Sequence, residues 1–237
     1  MKTYPVNLVE LGKQRCLVIG GGEVATGKVL GLIEAEARPV VISPDITPEL
    51  AALAAEGRIE HQPRPFVPSD VAGAFLVIAA TDNPELNRQI WAAACRQGAL
   101  VNVVDAPQLC HFHAPSVIRQ GDFVVSIATG GAAPALAARI RRELAARFGP
   151  AYGVLADWCA VIRPAVKQAF PDPEERKRRW QALVDSPALD LLADGRFPEA
   201  RAWVTEVMGT AVAATLPPVE DAPDENRPGS SPWPDCR

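Results

Sequence analysis

The stretch 101–113, VNVVDAPQLCHFH, opens as an apolar strand and then places Asp105, Cys110, His111 and His113 within nine residues of a chain that owns three histidines. At the end of a strand, Asp105 can act as a general base, or it can close a loop through an Asx-turn beside Pro107. On an extended segment His111 and His113 point the same way, so with a carboxylate they could hold a divalent ion. The bland alternative is a pair of loop histidines, and it is favoured by the lack of a second ligand pair elsewhere. Spacing alone leaves both questions open.

A second group follows the first strand. In GGGEVATGK, the residues Gly20, Gly22 and Ala25 fill a G-x-G-x-x-A pattern, with Glu23 and Val24 opening a helix. Gly20 permits a tight turn, Gly22 lets a pyrophosphate approach the backbone, and Ala25 lets the helix lie close to a sheet. The N–H groups and positive dipole of the helix N-terminus then face the phosphates. A glycine-rich turn without a ligand would look similar, but the strand-turn-helix context favours a dinucleotide. The acidic partner for the ribose is expected about 20 residues on. Ser43, Pro44 and Asp45 stand near there, and no arginine follows to hold a 2′-phosphate, so NAD is expected rather than NADP.

The third group is Thr129, Gly130 and Gly131, ahead of a helix with Pro134 in its first turn. This turn could offer N–H and hydroxyl donors to a carboxylate, or it could simply cap the helix. Arg139, Arg141 and Arg142 make that helix locally basic. EERKRR (174–179) reads instead as a solvated helix face.

Elements must position these groups. RCLVIG (15–20), PVVIS (39–43), RIEHQ (58–62), FLVIAATD (75–82), LVNVVD (100–105) and FVVSIAT (123–129) read as six strands alternating with helices, the sign of βαβ units around a parallel sheet. Their two-sided apolar character suits strands covered on both faces. TPELAALAAEG and NPELNRQIWAAACRQG carry a Thr or Asn cap, an early Pro and Glu, and an exit glycine. From residue 130 the pattern turns helical. Leu136, Ile140, Leu144 and Phe148 recur on one expected face, and two or three more helices are expected between about 151 and 210. Beyond Leu216 the proline-rich acidic tail reads as disordered.

Composition bounds the rest. A net charge of −4 argues against a general nucleic-acid binder. No apolar run reaches membrane-span length, and the N-terminus lacks the apolar core of a leader. Five scattered cysteines without a CxxC fit reduced thiols in a cytoplasm.

With these residues in view, the chain resembles the precorrin-2 dehydrogenase/sirohydrochlorin ferrochelatase family, the first module of sirohaem synthases. The resemblance is carried by P-V-x-L (Pro5 to Leu8), VIGGGEVA with Lys28, AATDNPELN (79–87) including Thr81, VNVVDAP (101–107), Phe112 to Ser116, and TGGAAPALA (129–137). It implies an α/β fold: a Rossmann-like parallel sheet in an NAD-binding domain (1–114), then a dimerisation and substrate-binding segment (115–150) and a small helical domain (151–212), before the tail (213–237). No fused methyltransferase module is expected. The implied activity is NAD-dependent oxidation of precorrin-2 to sirohydrochlorin by a homodimer, with Asp105 as the catalytic base and Thr81 among the cofactor-binding residues. Fe²⁺ insertion into sirohydrochlorin is implied for bifunctional members. The tetrapyrrole carries eight carboxylates, which suits Thr129, Gly130, Gly131 and Arg139 as its binding residues.

Two departures stand out from the pattern. QLCHFH is more metal-friendly than the small or apolar residues often found there, so His111 or His113 is expected to help deliver the ion. Thr129 stands where some relatives have serine. Two alternatives stay open: a dehydrogenase without chelatase activity, and a non-enzymatic NAD(H)-sensing domain.

Overall fold

The computed structural model describes residues 3–218, which divide into two compact units at Ala114/Pro115. The expected tail from 219 onward, with Trp233 and Cys236, lies outside the described residues.

The first unit is a five-stranded parallel sheet with strand order β3-β2-β1-β4-β5, built from β1 (Cys16–Ile19), β2 (Val40–Ile42), β3 (Glu60–Gln62), β4 (Leu76–Ala79) and β5 (Leu100–Val103). Alternate residues feed two cores. Cys16, Val18, Val41, Leu76 and Ile78 pack with α1 (Glu23–Ile33) and α2 (Pro48–Ala55). Leu17, Ile19, Val77, Ala79, Val101 and Val103 pack with α3 (Pro84–Arg96) on the other face. The central strands are buried at every position, which is why they read as continuous apolar runs rather than alternating ones.

Local chemistry sets the helix starts. The Thr47 hydroxyl accepts from Leu50 N at 3.3 Å, and Asn83 Oδ1 accepts from Glu85 N and Leu86 N at 3.0 and 3.1 Å, so each cap satisfies N–H groups that the helix itself cannot. Among the described helices, none is long and apolar enough to cross a membrane.

The second unit corrects the expected sixth parallel strand. Residues 123–129 do not join the sheet. β7 (Phe123–Ile127) pairs antiparallel with β6 (Ser116–Gln120), a strand the pattern did not single out. The reason is the connection. Gly121 and Asp122 make a two-residue turn, with Gly121 at φ +57°, whereas a parallel pairing needs a crossover of a dozen or more residues.

The helix after the Thr-Gly-Gly turn, α4 (Pro134–Ala145), also departs from expectation. It stops before Phe148, and Ala137 is its buried residue, while Leu136 stays 50% exposed. Of the expected apolar stripe Leu136 is exposed, Ile140 and Leu144 are half-buried, and Phe148 packs against Phe123 and Tyr152.

Instead of two or three further helices there are α5 (Pro150–Ala169), α6 (Pro173–Val184), α7 (Ala188–Ala193), α8 (Phe197–Met208) and a short α9 (Thr210–Ala213). Ser186-Pro187 and Asp194-Gly195 break what periodicity joined. Trp158, Ile162, Leu183, Leu192, Val204 and Met208 form their common core, which Ala213 and Leu216 still join.

Candidate functional site

Because the five strands run in parallel, their carboxyl ends share one edge, and most of the candidate residues sit there. The glycine turn follows β1, Ser43-Pro44-Asp45 follows β2, Thr81 follows β4 and Asp105 follows β5. The chain passes from β1 to β2 on one side and later returns to β4 on the other. The ends of β1 and β4 are thus the switch point at which such sheets bind ligands.

The three glycines have different tasks. Gly20 has φ +118°, and a Cβ there would lie 2.2 Å from Ala80 O, so the turn packs directly against the end of β4. Gly21, which the sequence pattern passed over, is held as tightly. A Cβ on it would lie 2.0 Å from Asp45 O and 2.9 Å from Ser43 Oγ. A Cβ on Gly22 would meet nothing within 4 Å, which leaves the backbone open to a ligand.

Gly22 caps α1 without any side-chain hydrogen bond, in contrast to the Thr47 and Asn83 caps of α2 and α3. Gly22, Glu23 and Val24 are exposed, while Ala25 is fully buried against the sheet. An 11-residue helix thus starts with its donors unclaimed by side chains and its dipole directed at an open turn. These residues fit a dinucleotide pyrophosphate.

The turn is braced from beneath. Thr26, 3% exposed, bonds Gly22 O at 3.1 Å and shares a 2.9 Å hydroxyl contact with Thr47, while Thr47 N donates to Gly21 O at 2.9 Å. Ser43 is half-buried, whereas Pro44 and Asp45 are exposed. The chain's remaining histidine, His61, meets Ser43 O at 3.0 Å and so steadies this loop.

The Thr81 hydroxyl donates to Asn87 Oδ1 at 2.7 Å, and Asn87 Nδ2 donates back to Thr81 O at 3.0 Å. Thr81 therefore shapes the β4 loop rather than offering a donor outward. Asn87, 7% exposed, is the partner that sequence reasoning missed. A polar residue inside the apolar period of α3 was the signal.

Arg64, two residues past β3, is engaged by Asp70 through Nη1 to Oδ2 at 2.9 Å and Nη2 to Oδ1 at 2.7 Å. The Arg64 guanidinium and the Val67 N–H hold the Asp70 carboxyl below the usual carboxylate range.

Asp105 is exposed, two residues beyond β5, with φ +57°. It is the third residue of a turn closed by Ala106 N donating to Val103 O at 3.3 Å. The residues after it fold back along β5. His111 N donates to Val101 O at 2.8 Å, and the buried Asn102 donates from Nδ2 to Phe112 O at 2.9 Å.

The Cys110 thiol contacts backbone groups of Val103 and Ala106, and His111 Nε2 lies 3.7 Å from Cys95 Sγ. His113 is half-buried. Among the described residues no three His, Cys, Asp or Glu side chains converge as a metal cage.

The remaining candidates belong to the second unit. Gly130 and Gly131 have φ +61° and +79°. Thr129 Oγ1 accepts from Ala133 N at 3.2 Å, which leaves the hydroxyl proton free to donate elsewhere. Arg139 is exposed and pairs with Glu143 at 2.8 Å.

Comparison with known proteins bears on the same regions. Residues 8–116 match a family model described as NAD(P)-binding, 125–147 match "Sirohaem biosynthesis protein central", and 151–208 match "Sirohaem synthase dimerisation region". The chain is 42% identical over 212 residues to a siroheme synthase of Thioalkalivibrio sulfidiphilus, covering 90% of this chain and 43% of that protein. It is 40% identical over 202 residues to a siroheme synthase of Chromobacterium violaceum, covering 85% and 43%. The chain thus spans less than half the length of these curated relatives. Among solved structures, one titled "SirC, precorrin-2 dehydrogenase" shares the fold at a TM-score of 0.70 and 20% identity, covering 86% of this chain and 98% of its own. The chain carries, in order, the NAD(P)-binding, central and dimerisation regions of the sirohaem synthase family.

Proposed function

We propose that the chain is an NAD-dependent precorrin-2 dehydrogenase that forms sirohydrochlorin in sirohaem synthesis. The observation carrying this is the sheet edge itself: an open, uncapped glycine turn at the switch point and an exposed carboxylate beyond the neighbouring strand pair. When bound, NAD supplies the hydride acceptor. Oxidation of precorrin-2 removes one hydride and one proton, and Asp105 takes the proton as general base. Gly22 and the N–H groups of Glu23 and Val24 would hold the pyrophosphate, with Gly20 making the turn and Ala25 letting the helix lie against the sheet. Ser43, Pro44 and Asp45 receive the adenosine ribose, and Thr81 shapes the loop beside it. Engagement of Arg64 by Asp70 supports NAD over NADP, since that cation is already matched.

Thr129, Gly130, Gly131 and Arg139 are the proposed carboxylate-binding residues for the tetrapyrrole. A homodimer is supported by the dimerisation-region match and by the exposed Leu136 of α4. Four described cysteines are free thiols, which supports a cytoplasmic setting. The net charge of −4 gives no reason to expect a nucleic-acid partner.

Sirohydrochlorin ferrochelatase activity is the second reading. It is favoured by the position of Asp105, which can also accept pyrrole protons, with His111 or His113 passing Fe²⁺, the substrate metal, toward the ring. The test is NADH absorbance on mixing protein, NAD and anaerobic precorrin-2, followed by Fe²⁺. NADH formation is expected, and its absence overturns the dehydrogenase reading. A sirohaem spectrum after Fe²⁺ separates the bifunctional enzyme from a dehydrogenase alone.

A further inference from the structure

We infer that Cys110 is the positioning residue for Asp105, an inference that rests on Asp105 being the base. Asp105 stands at φ +57°, a left-handed conformation that an aspartate tolerates but does not prefer. Left to itself, the exposed Asp105 at the third position of the turn 103–106 would relax toward a negative φ. The turn's own closure is one long bond, Ala106 N to Val103 O at 3.3 Å.

Val104 N donates to Ala79 O at 3.0 Å and Leu109 N to Ala106 O at 2.9 Å, and the Cys110 thiol adds the restraint that spans the turn. Its Sγ accepts from Val103 N at 3.3 Å and from Asn102 Nδ2 at 3.5 Å, and it lies 3.2 Å from Val103 O and 3.4 Å from Ala106 O as donor. One sulfur therefore touches the first and last residues of the turn whose third residue is the acid. A thiol has a single proton, so it donates to one carbonyl at a time while its lone pairs accept from the N–H groups.

The brace is itself anchored. Cys110 sits in the segment that returns along β5, fixed by His111 N to Val101 O at 2.8 Å and by Asn102 Nδ2 to Phe112 O at 2.9 Å. Asn102 is buried within β5, so the sulfur ties the far end of the acid's turn to the sheet, beside the direct Val104 N to Ala79 O bond at its near end. This gives the cysteine of the Cys-His-x-His stretch a task other than binding metal. A base displaced by about an ångström loses much of its rate while substrate and cofactor still bind.

The experiment compares Cys110→Ala, Cys110→Ser and Asp105→Ala in the full chain. It measures kcat for NADH formation, NAD affinity by titration and the thermal midpoint. Cys110→Ala is expected to lower kcat about tenfold or more with NAD affinity unchanged. Cys110→Ser, which keeps a donor and acceptor, is expected to restore most of the rate. A wild-type kcat for Cys110→Ala beside an inactive Asp105→Ala overturns the inference and leaves the base assignment standing. So does a loss in Cys110→Ala that NAD affinity and the thermal midpoint share, or one that serine fails to restore. Turnover by Asp105→Ala removes the base assignment itself, and is read independently of the cysteine variants.

Discussion

Alanine placed in turn at three consecutive glycines separates holding the fold from holding the cofactor. At Gly20 the backbone sits at φ +118°, and the new Cβ would lie 2.2 Å from Ala80 O. The positive φ costs about 1–2 kcal/mol, and forcing the two strand ends apart adds roughly 1–3, so Gly20→Ala should lose about 2–5 kcal/mol. At Gly21 the clash is with Asp45 O at 2.0 Å, again backbone that cannot swing aside. There the expected loss is about 1–3 kcal/mol, together with displacement of the loop after β2. At Gly22 the Cβ meets nothing and φ is −84°, so alanine costs only what a weaker N-cap costs, about 0.5–1 kcal/mol. The same methyl projects where a pyrophosphate must approach, so NAD affinity should fall at least about tenfold, or about 1.4 kcal/mol. Urea unfolding and NAD titration of the three variants check this. A Gly22→Ala protein that binds NAD normally would refute the placement of the phosphates. A Gly20→Ala protein as stable as wild type would refute the packing argument.

Three further outcomes are expected. Asp105→Ala should abolish NADH production from precorrin-2 while leaving NAD affinity intact, and near-normal turnover would remove the assignment. Asp70→Asn should cost about 1–2 kcal/mol at neutral pH, because the Arg64 hydrogen bonds lower the folded carboxyl below its unfolded value near 4. That contribution is present above the unfolded value and is lost as pH falls through the folded one, so the gap in urea midpoint between wild type and variant should narrow as the solution is acidified; a gap that stays constant contradicts it. In the chelatase reading, His111→Ala with His113→Ala should slow Fe²⁺ insertion into sirohydrochlorin without altering NADH formation, and unchanged insertion discards the metal-delivery role.

The central strands were legible because they are buried on both faces and written in apolar, largely β-branched residues, whereas the edge strand β3, Glu-His-Gln, is polar and only half-buried; Thr47 and Asn83 marked their helices plainly. The glycine pattern located the turn but could not rank its members. Gly21 earns its place from a carbonyl of Asp45, more than 20 residues away, and no local pattern records that contact. FVVSI was misassigned because its composition suits a parallel strand equally well. The deciding signal was the Gly-Asp pair before it, which joins two runs too closely for a crossover. Cys110 was grouped with His111 and His113 by element type. Its sulfur instead serves the backbone of Val103 and Ala106, an assignment visible only once the chain has doubled back.

The common direction of the five strands has a consequence for how this chain can vary. In the first unit the sheet interior, where Leu17, Val18, Val41, Val77 and Val101 are inaccessible to water, is separate from the loops leaving a single rim, where the proposed cofactor and base residues stand. Substitutions confined to that rim can retune which molecule is handled while the interior continues to fold unaltered. Gly20 and Gly21 are the exceptions: there one residue answers to both demands, and tolerance should be narrowest.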